Sequence, residues 1–352
     1  MRQIELSQSL LGRTKIYLDA CFWILLRETE VGVRTGAQER KLLHFLRRGV
    51  RHGRLICPIS ASMFMELMKQ PFTPNRRRAT ARLIDELSLG ISVIPPHVLM
   101  GTEINSFLLS AKGGASLHPI QELIWTKVGR VLGNIYPSIA TLTAAEELAL
   151  QKTFFDQLWE HSLANIIDTI GDADMPGDNF RSLSDQTNEQ KLQYCDELKS
   201  FEGTYDIELR GAIELAGEVA ADIITDFAEK EAGRSLAFTA TERADSVNAC
   251  RNLLYFSMKN PENRRALRTL HVGALLHAAM RWDKQRKFKP NDYYDFQHAT
   301  VALSYCDVFL TEGPLHVLVT RPQIDLEQVN SCRVISDLTN AVAFTREATD
   351  RC

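Results

Sequence analysis

Apolar positions along this chain follow two rhythms. Near both ends, short apolar runs interrupt stretches in which apolar residues recur every three or four positions. Ile16-Tyr17-Leu18, Leu55-Ile56-Cys57, Ile91-Ser92-Val93-Ile94, Val308-Phe309-Leu310 and Val334-Ile335 are too apolar for exposed strands. Residues 15–19, 55–59, 91–94, 307–311 and 332–335 therefore read as strands buried on both faces. Between them lie helical patterns. Leu42, Leu43, Leu46 and Val50 mark the inner face of one helix, preceded by a capping-box pattern from Thr35 to Gln38, with Arg47, Arg48 and Arg51 outside. Ser60 or Ser62 can cap a helix holding Met63, Glu66 and Leu67, and another helix runs from about Asn75 to Leu89 before Gly90.

Alternating strand and helix predicts a parallel sheet covered by helices, a three-layer α/β/α arrangement. From 101 to 285 only helical periodicity remains. Val219, Ile223, Ile224 and Phe227 form one stripe, Thr239 to Glu242 is a capping box, and Asn260-Pro261 is a helix entrance. Gly171 to Gln186, with its Gly, Asp, Pro and Ser, reads as an exposed loop. The expected organisation is one α/β domain, residues 1–100 and 286–352, split by an all-α insertion, residues 101–285. That insertion offers surface for a protein partner or a homo-oligomer.

Composition narrows the function classes. The 352 residues carry a formal net charge of −3, so nucleic-acid binding has to come from a local basic surface. Three basic clusters qualify: Arg47 to Arg54, Arg76-Arg77-Arg78, and Lys284, Arg286, Lys287 with Lys289. Most such runs are solvated helix ends; the third directly precedes the acids described next. Seven scattered cysteines without a CxxC favour a reducing, cytoplasmic setting. No signal-peptide core follows Met1, and no stretch approaches the roughly 20 apolar residues of a membrane span. There is no P-loop and no GxSxG elbow.

The acids carry the chemistry. Asp292, Asp295 and His298 are spaced by three and share one helix face. Asp19 directly follows the first strand, Glu312 the strand at 307–311, and Glu66 lies among Met63, Phe64, Met65 and Leu67. Ligands of parallel α/β sheets bind beyond the carboxyl ends of the strands, so these acids are expected to converge. Converging carboxylates repel one another unless a cation joins them, and oxygen ligands suit Mg²⁺ or Mn²⁺. Asp292 also fits a helix N-cap, and His298 reads as a hydrogen-bonded structural residue. Trp23, Tyr293 and Tyr294 suit either stacking on unpaired bases or the core. A haloacid-dehalogenase-type phosphatase would need an aspartate where Cys21 stands.

In this order, Leu18-Asp19, Ser60 to Glu66, Asp295-x-x-x-Ala299-x-x-Ala302 and Leu310-Thr311-Glu312 resemble the PIN-domain ribonucleases. The resemblance covers residues 15–100 and 285–345. It implies a metal-dependent endoribonuclease that hydrolyses phosphodiester bonds, mainly of single-stranded RNA and also of single-stranded DNA, through water activated by Mg²⁺ or Mn²⁺. Asp19, Glu66 and Asp295 match the family's metal-binding acids, and Asp292 is a further ligand candidate. Glu312 completes the catalytic set where the family usually has aspartate. Thr311, Lys284, Arg286 and Lys287 are the candidate substrate contacts. A toxin or defence role with an antitoxin partner follows from the resemblance alone. The alternative is a PIN-like module without activity that binds RNA or protein through its helical insertion.

Overall fold

The computed structural model describes residues 2–70, 74–113, 118–171, 179–194, 199–324, 326 and 331–350. Strands β1 (Thr14–Leu18), β2 (Leu55–Ile56), β3 (Ile91–Val93), β4 (Trp125–Lys127), β5 (Val308–Leu310) and β6 (Arg333–Ile335) form two sheets. The larger has the order β2-β1-β5-β6 and is parallel throughout, with Tyr17 opposite Phe309 and Phe309 opposite Val334. The fold is α/β, as the alternation predicts.

Side chains alternate across a strand, and this sheet sends them into two cores. Ile16, Leu18, Leu55, Val308, Leu310 and Ile335 join one apolar cluster with Trp23, Leu46 and Leu67. Tyr17, Ile56, Phe309 and Val334 join the other. Burial on both faces explains why the strands read as unbroken apolar runs. The second cluster continues through Leu99 and Ile104, Leu209 and Ile213, and Leu270 and Leu276, all on helices up to residue 282. Helices of the region expected as an insertion thus extend the core beneath the sheet.

Four local expectations change. β3 does not join the parallel sheet: it pairs antiparallel with β4 and touches the end of the β2 segment only at the Ile59–Ser92 bridge. Pro58 lacks the N–H that a continuing ladder needs. β4 itself lies inside the stretch read as all-α; three residues are too few for a period-two signal. Of the expected loop from Gly171 to Gln186, residues 172–178 lie outside the described residues, and from Phe180 onward the chain is helical to Gln193. The Thr35–Gln38 box does not form, Gly36 being the N-cap, whereas the Thr239–Glu242 box does. Among the described residues no helix is long and apolar enough to cross a membrane.

Candidate metal centre

Asp19 is placed by two neighbours at once. It ends β1 and caps the helix Ala20–Glu30, its Oδ1 accepting from the Ala20 N–H at 2.6 Å. Its own N–H donates to Leu310 O at 3.0 Å, which ties it to the end of β5. The Thr311 hydroxyl donates to its Oδ2 at 2.7 Å, and Thr311 is held in turn by its N–H on Ile335 O. Only 4% of Asp19 is exposed. Thr311 therefore orients a carboxylate here, where a substrate contact was expected.

Glu66 comes from the helix Ala61–Lys69 that follows β2, and His298 from the helix Asp292–Tyr305. His298 Nε2 meets Glu66 Oε2 at 2.7 Å, and His298 Nδ1 meets the Tyr17 hydroxyl at 2.6 Å. Tyr17 in turn meets Ser60 Oγ at 2.6 Å. That last contact explains why Ser60 makes no side-chain cap bond although it is the N-cap residue. Burial opposes the imidazolium, but the Glu66 carboxylate, joined by the charges of Asp19 and Asp295, outweighs it and holds the His298 pKa above the usual value. Nε2 is then the donor and Glu66 the acceptor.

Asp19, Glu66 and His298 bring one ligand atom each to within 4.8 Å of one another, a group that can hold a metal ion. Both ring nitrogens of His298 are already engaged, so in this arrangement it orients Glu66 and leaves Oε1 of that carboxylate to a ligand. The expectation of a hydrogen-bonded histidine holds, and its partner is a site acid. The signal was present in the sequence: His298 lies one helical turn after Asp295.

Asp295 lies outside that tight group and yet belongs to the same field. Its carboxyl is pushed up to about 8, by burial first and then by Asp19 and Glu312, with His298 opposing. Glu312 sits exposed at the rim as N-cap of the helix Gly313–Val319. Partial burial and then Asp19 raise its pKa, with Arg286 opposing. Asp292 is committed locally. Its Oδ2 accepts from the Lys289 N–H at 2.7 Å, and its Oδ1 lies 3.6 Å from the Arg286 guanidinium. It caps the loop before its helix and, like Asp295, lies outside the tight group. Lys284 and Lys287 flank Arg286 and are exposed.

The other candidates separate cleanly. Trp23 is fully buried, Tyr293 stacks on Phe180 with ring centroids 5.2 Å apart, and Lys69 Nζ lies 4.1 Å from the Tyr294 ring centre, so these aromatics are packing residues. Arg47 pairs with Glu86 and Glu30, and Arg77 is buried on the carbonyls of Met68 and Gln70. In each of these clusters at least one guanidinium is thus engaged within the fold. The donor set that remains is rich in carboxylate oxygen and short of positive charge, which suits a hard divalent cation. No protein-family model, curated protein or solved structure matches this chain.

Proposed function

We propose that this chain is a PIN-like, metal-dependent endoribonuclease acting on single-stranded RNA, with Mg²⁺ or Mn²⁺ held by Asp19, Glu66 and Asp295. One observation carries the reading: acids from β1, from the helix after β2 and from the helix before β5 gather at the carboxyl edge of the sheet, and Asp295 is pushed up to about 8 by burial and then by the charges of Asp19 and Glu312. Acids gathered at such a cost are useful where a cation is to be bound. When bound there, a divalent cation supplies the positive charge that activates water and offsets the charge developing on a phosphate.

The chain's own residues have separable tasks. Thr311 and the Ala20 N–H fix both oxygens of Asp19, and His298 fixes Oε2 of Glu66, so these two carboxylates meet a ligand already oriented. Asp295 lends a third carboxylate from the opposite helix. Glu312 stands at the entrance, where its negative charge steers the cation inward, and the Arg286 guanidinium lies near both Glu312 and Asp292.

The test is incubation of labelled single-stranded and hairpin RNAs with Mn²⁺, Mg²⁺ or EDTA. Cleavage is expected with either metal, none with EDTA, and a loss on the order of a hundredfold or more in the Asp19→Asn/Asp295→Asn double variant. If wild type cuts nothing that the variant spares, the nuclease reading is wrong. RNA binding that is indifferent to metal and to both substitutions would instead identify a binding module.

A further inference from the structure

The helix Phe180–Gln193 grips the loop that leads into the site. Asn188 holds Phe288 from both sides, its Nδ2 donating to Phe288 O and its Oδ1 accepting from the Phe288 N–H, each at 2.8 Å. Lys191 is 6% exposed and directs its ammonium group at three carbonyls: Met280 O at 2.6 Å, and Asp283 O and Arg286 O at 2.5 Å. It thereby closes the end of the helix Arg268–Trp282 and the turn after it. The Thr187 hydroxyl meets that of Tyr293 at 2.9 Å, and Phe180 stacks on the same Tyr293 ring.

A buried ammonium bonded only to carbonyls is an expensive way to end a helix, since a C-terminal glycine does the same without desolvating a charge. What the arrangement adds is a fixed path for residues 283–291, and on that path Arg286 is set against Asp292 and faces Glu312. A planar guanidinium held in one place recognises phosphate far better than one on a free loop.

We propose that Asn188 and Lys191 are positioning residues: the helix Phe180–Gln193 clamps the entry loop so that Arg286 is presented at the rim of the site to a substrate phosphate. The substrate half of this rests on the nuclease reading; the clamp half does not.

The experiment has two arms, both on the full chain. In limited trypsin digestion followed by mass spectrometry, the bonds after Lys284, Arg286 and Lys287 are expected to be cut about tenfold faster in Asn188→Ala and Lys191→Met than in wild type, with cutting after Lys152 unchanged. Equal rates in the loop overturn the clamp. Thermal unfolding identifies any variant that fails to fold, and Asn188→Ala, which loses only two hydrogen bonds, carries the test if Lys191→Met does so.

In the second arm, anisotropy of a labelled single-stranded RNA in EDTA reads binding without cleavage. Asn188→Ala and Arg286→Ala are each expected to weaken binding about tenfold, and together by no more than either alone, because the first acts through the second. Losses that multiply overturn the positioning role. If wild type binds no RNA, the functional reading and the role of Arg286 fall together, while the trypsin arm still decides the clamp.

Discussion

The helix Asp292–Tyr305 meets a buried acid at each end, and the two ends could hardly be more different. At its C-terminal end Tyr305 donates its hydroxyl to Glu103, which also accepts from the Thr269 N–H at 3.0 Å and the Thr269 hydroxyl at 2.6 Å. Arg268 lies near enough to favour the charged form. Glu103 is surrounded by donors, and it joins the helices Pro96–Ala111, Arg268–Trp282 and Asp292–Tyr305. At the other end Asp295 faces Asp19, Glu66 and Glu312, with His298 opposing its rise. Burial raises both acids, Glu103 to about 7 and Asp295 to about 8. The surroundings separate a bolt from a socket: one acid already has its partners, while the other is among acids that need a shared one.

That contrast can be broken at either end. The largest effect is expected from Glu103→Ala, which opens a cavity and leaves the Tyr305 hydroxyl and the Thr269 N–H without their acceptor. A loss of about 4 kcal/mol in urea unfolding, with RNA cleavage retained by the folded fraction, is the expected outcome. A loss under 1 kcal/mol would mean that Glu103 is not a bolt.

The next concerns pH. The folded pKa of Glu103 is about 7 against an ordinary 4.5, so the folded state binds the proton more tightly. The sign follows: its contribution is complete below pH 4.5, declines as pH rises, and is gone above the folded value. At about 1.4 kcal/mol per pH unit the decline amounts to roughly 3 kcal/mol. Urea titrations between pH 4 and 8 are expected to place this decline in wild type and not in Glu103→Gln. Parallel profiles for the two proteins would refute it.

The smallest effect belongs to the socket. Mn²⁺ at a hundred times its dissociation constant is expected to stabilise wild type by about 2.7 kcal/mol and to raise its melting temperature. Glu103→Gln should respond as wild type does, and Asp19→Asn/Asp295→Asn should not respond. An equal rise in all three proteins would place the cation elsewhere.

Much of this was legible beforehand. Burial on both faces leaves a parallel strand no polar positions, so β1, β5 and β6 stand out as apolar runs. Asp19 and Glu66 were legible because each follows a strand or sits in an apolar helix. The partners of His298 were not: Tyr17 is 281 positions away and Glu66 232, and one sequence carries no signal for such a contact. The local bond of Asp292 was also hidden: its spacing from Asp295 suits a ligand, and only the folded loop shows that its Oδ2 accepts from the Lys289 N–H three residues away. β4 escaped notice because its partner β3, and not any pattern of its own, makes it a strand.

The strand order has a consequence for synthesis. β1 lies between β2 and β5, and its Lys15 N–H is bonded to Asp307 Oδ2, 292 positions further on. A ribosome has therefore released Asp19 and Glu66 long before Asp295, His298 and Thr311 exist to orient or accompany them. The half-made chain holds two loose acids and no centre, and closing so long a loop is among the slow steps of folding. The centre is thus completed only when the segment from Asp295 to Thr311 has joined β1 and the helix after β2.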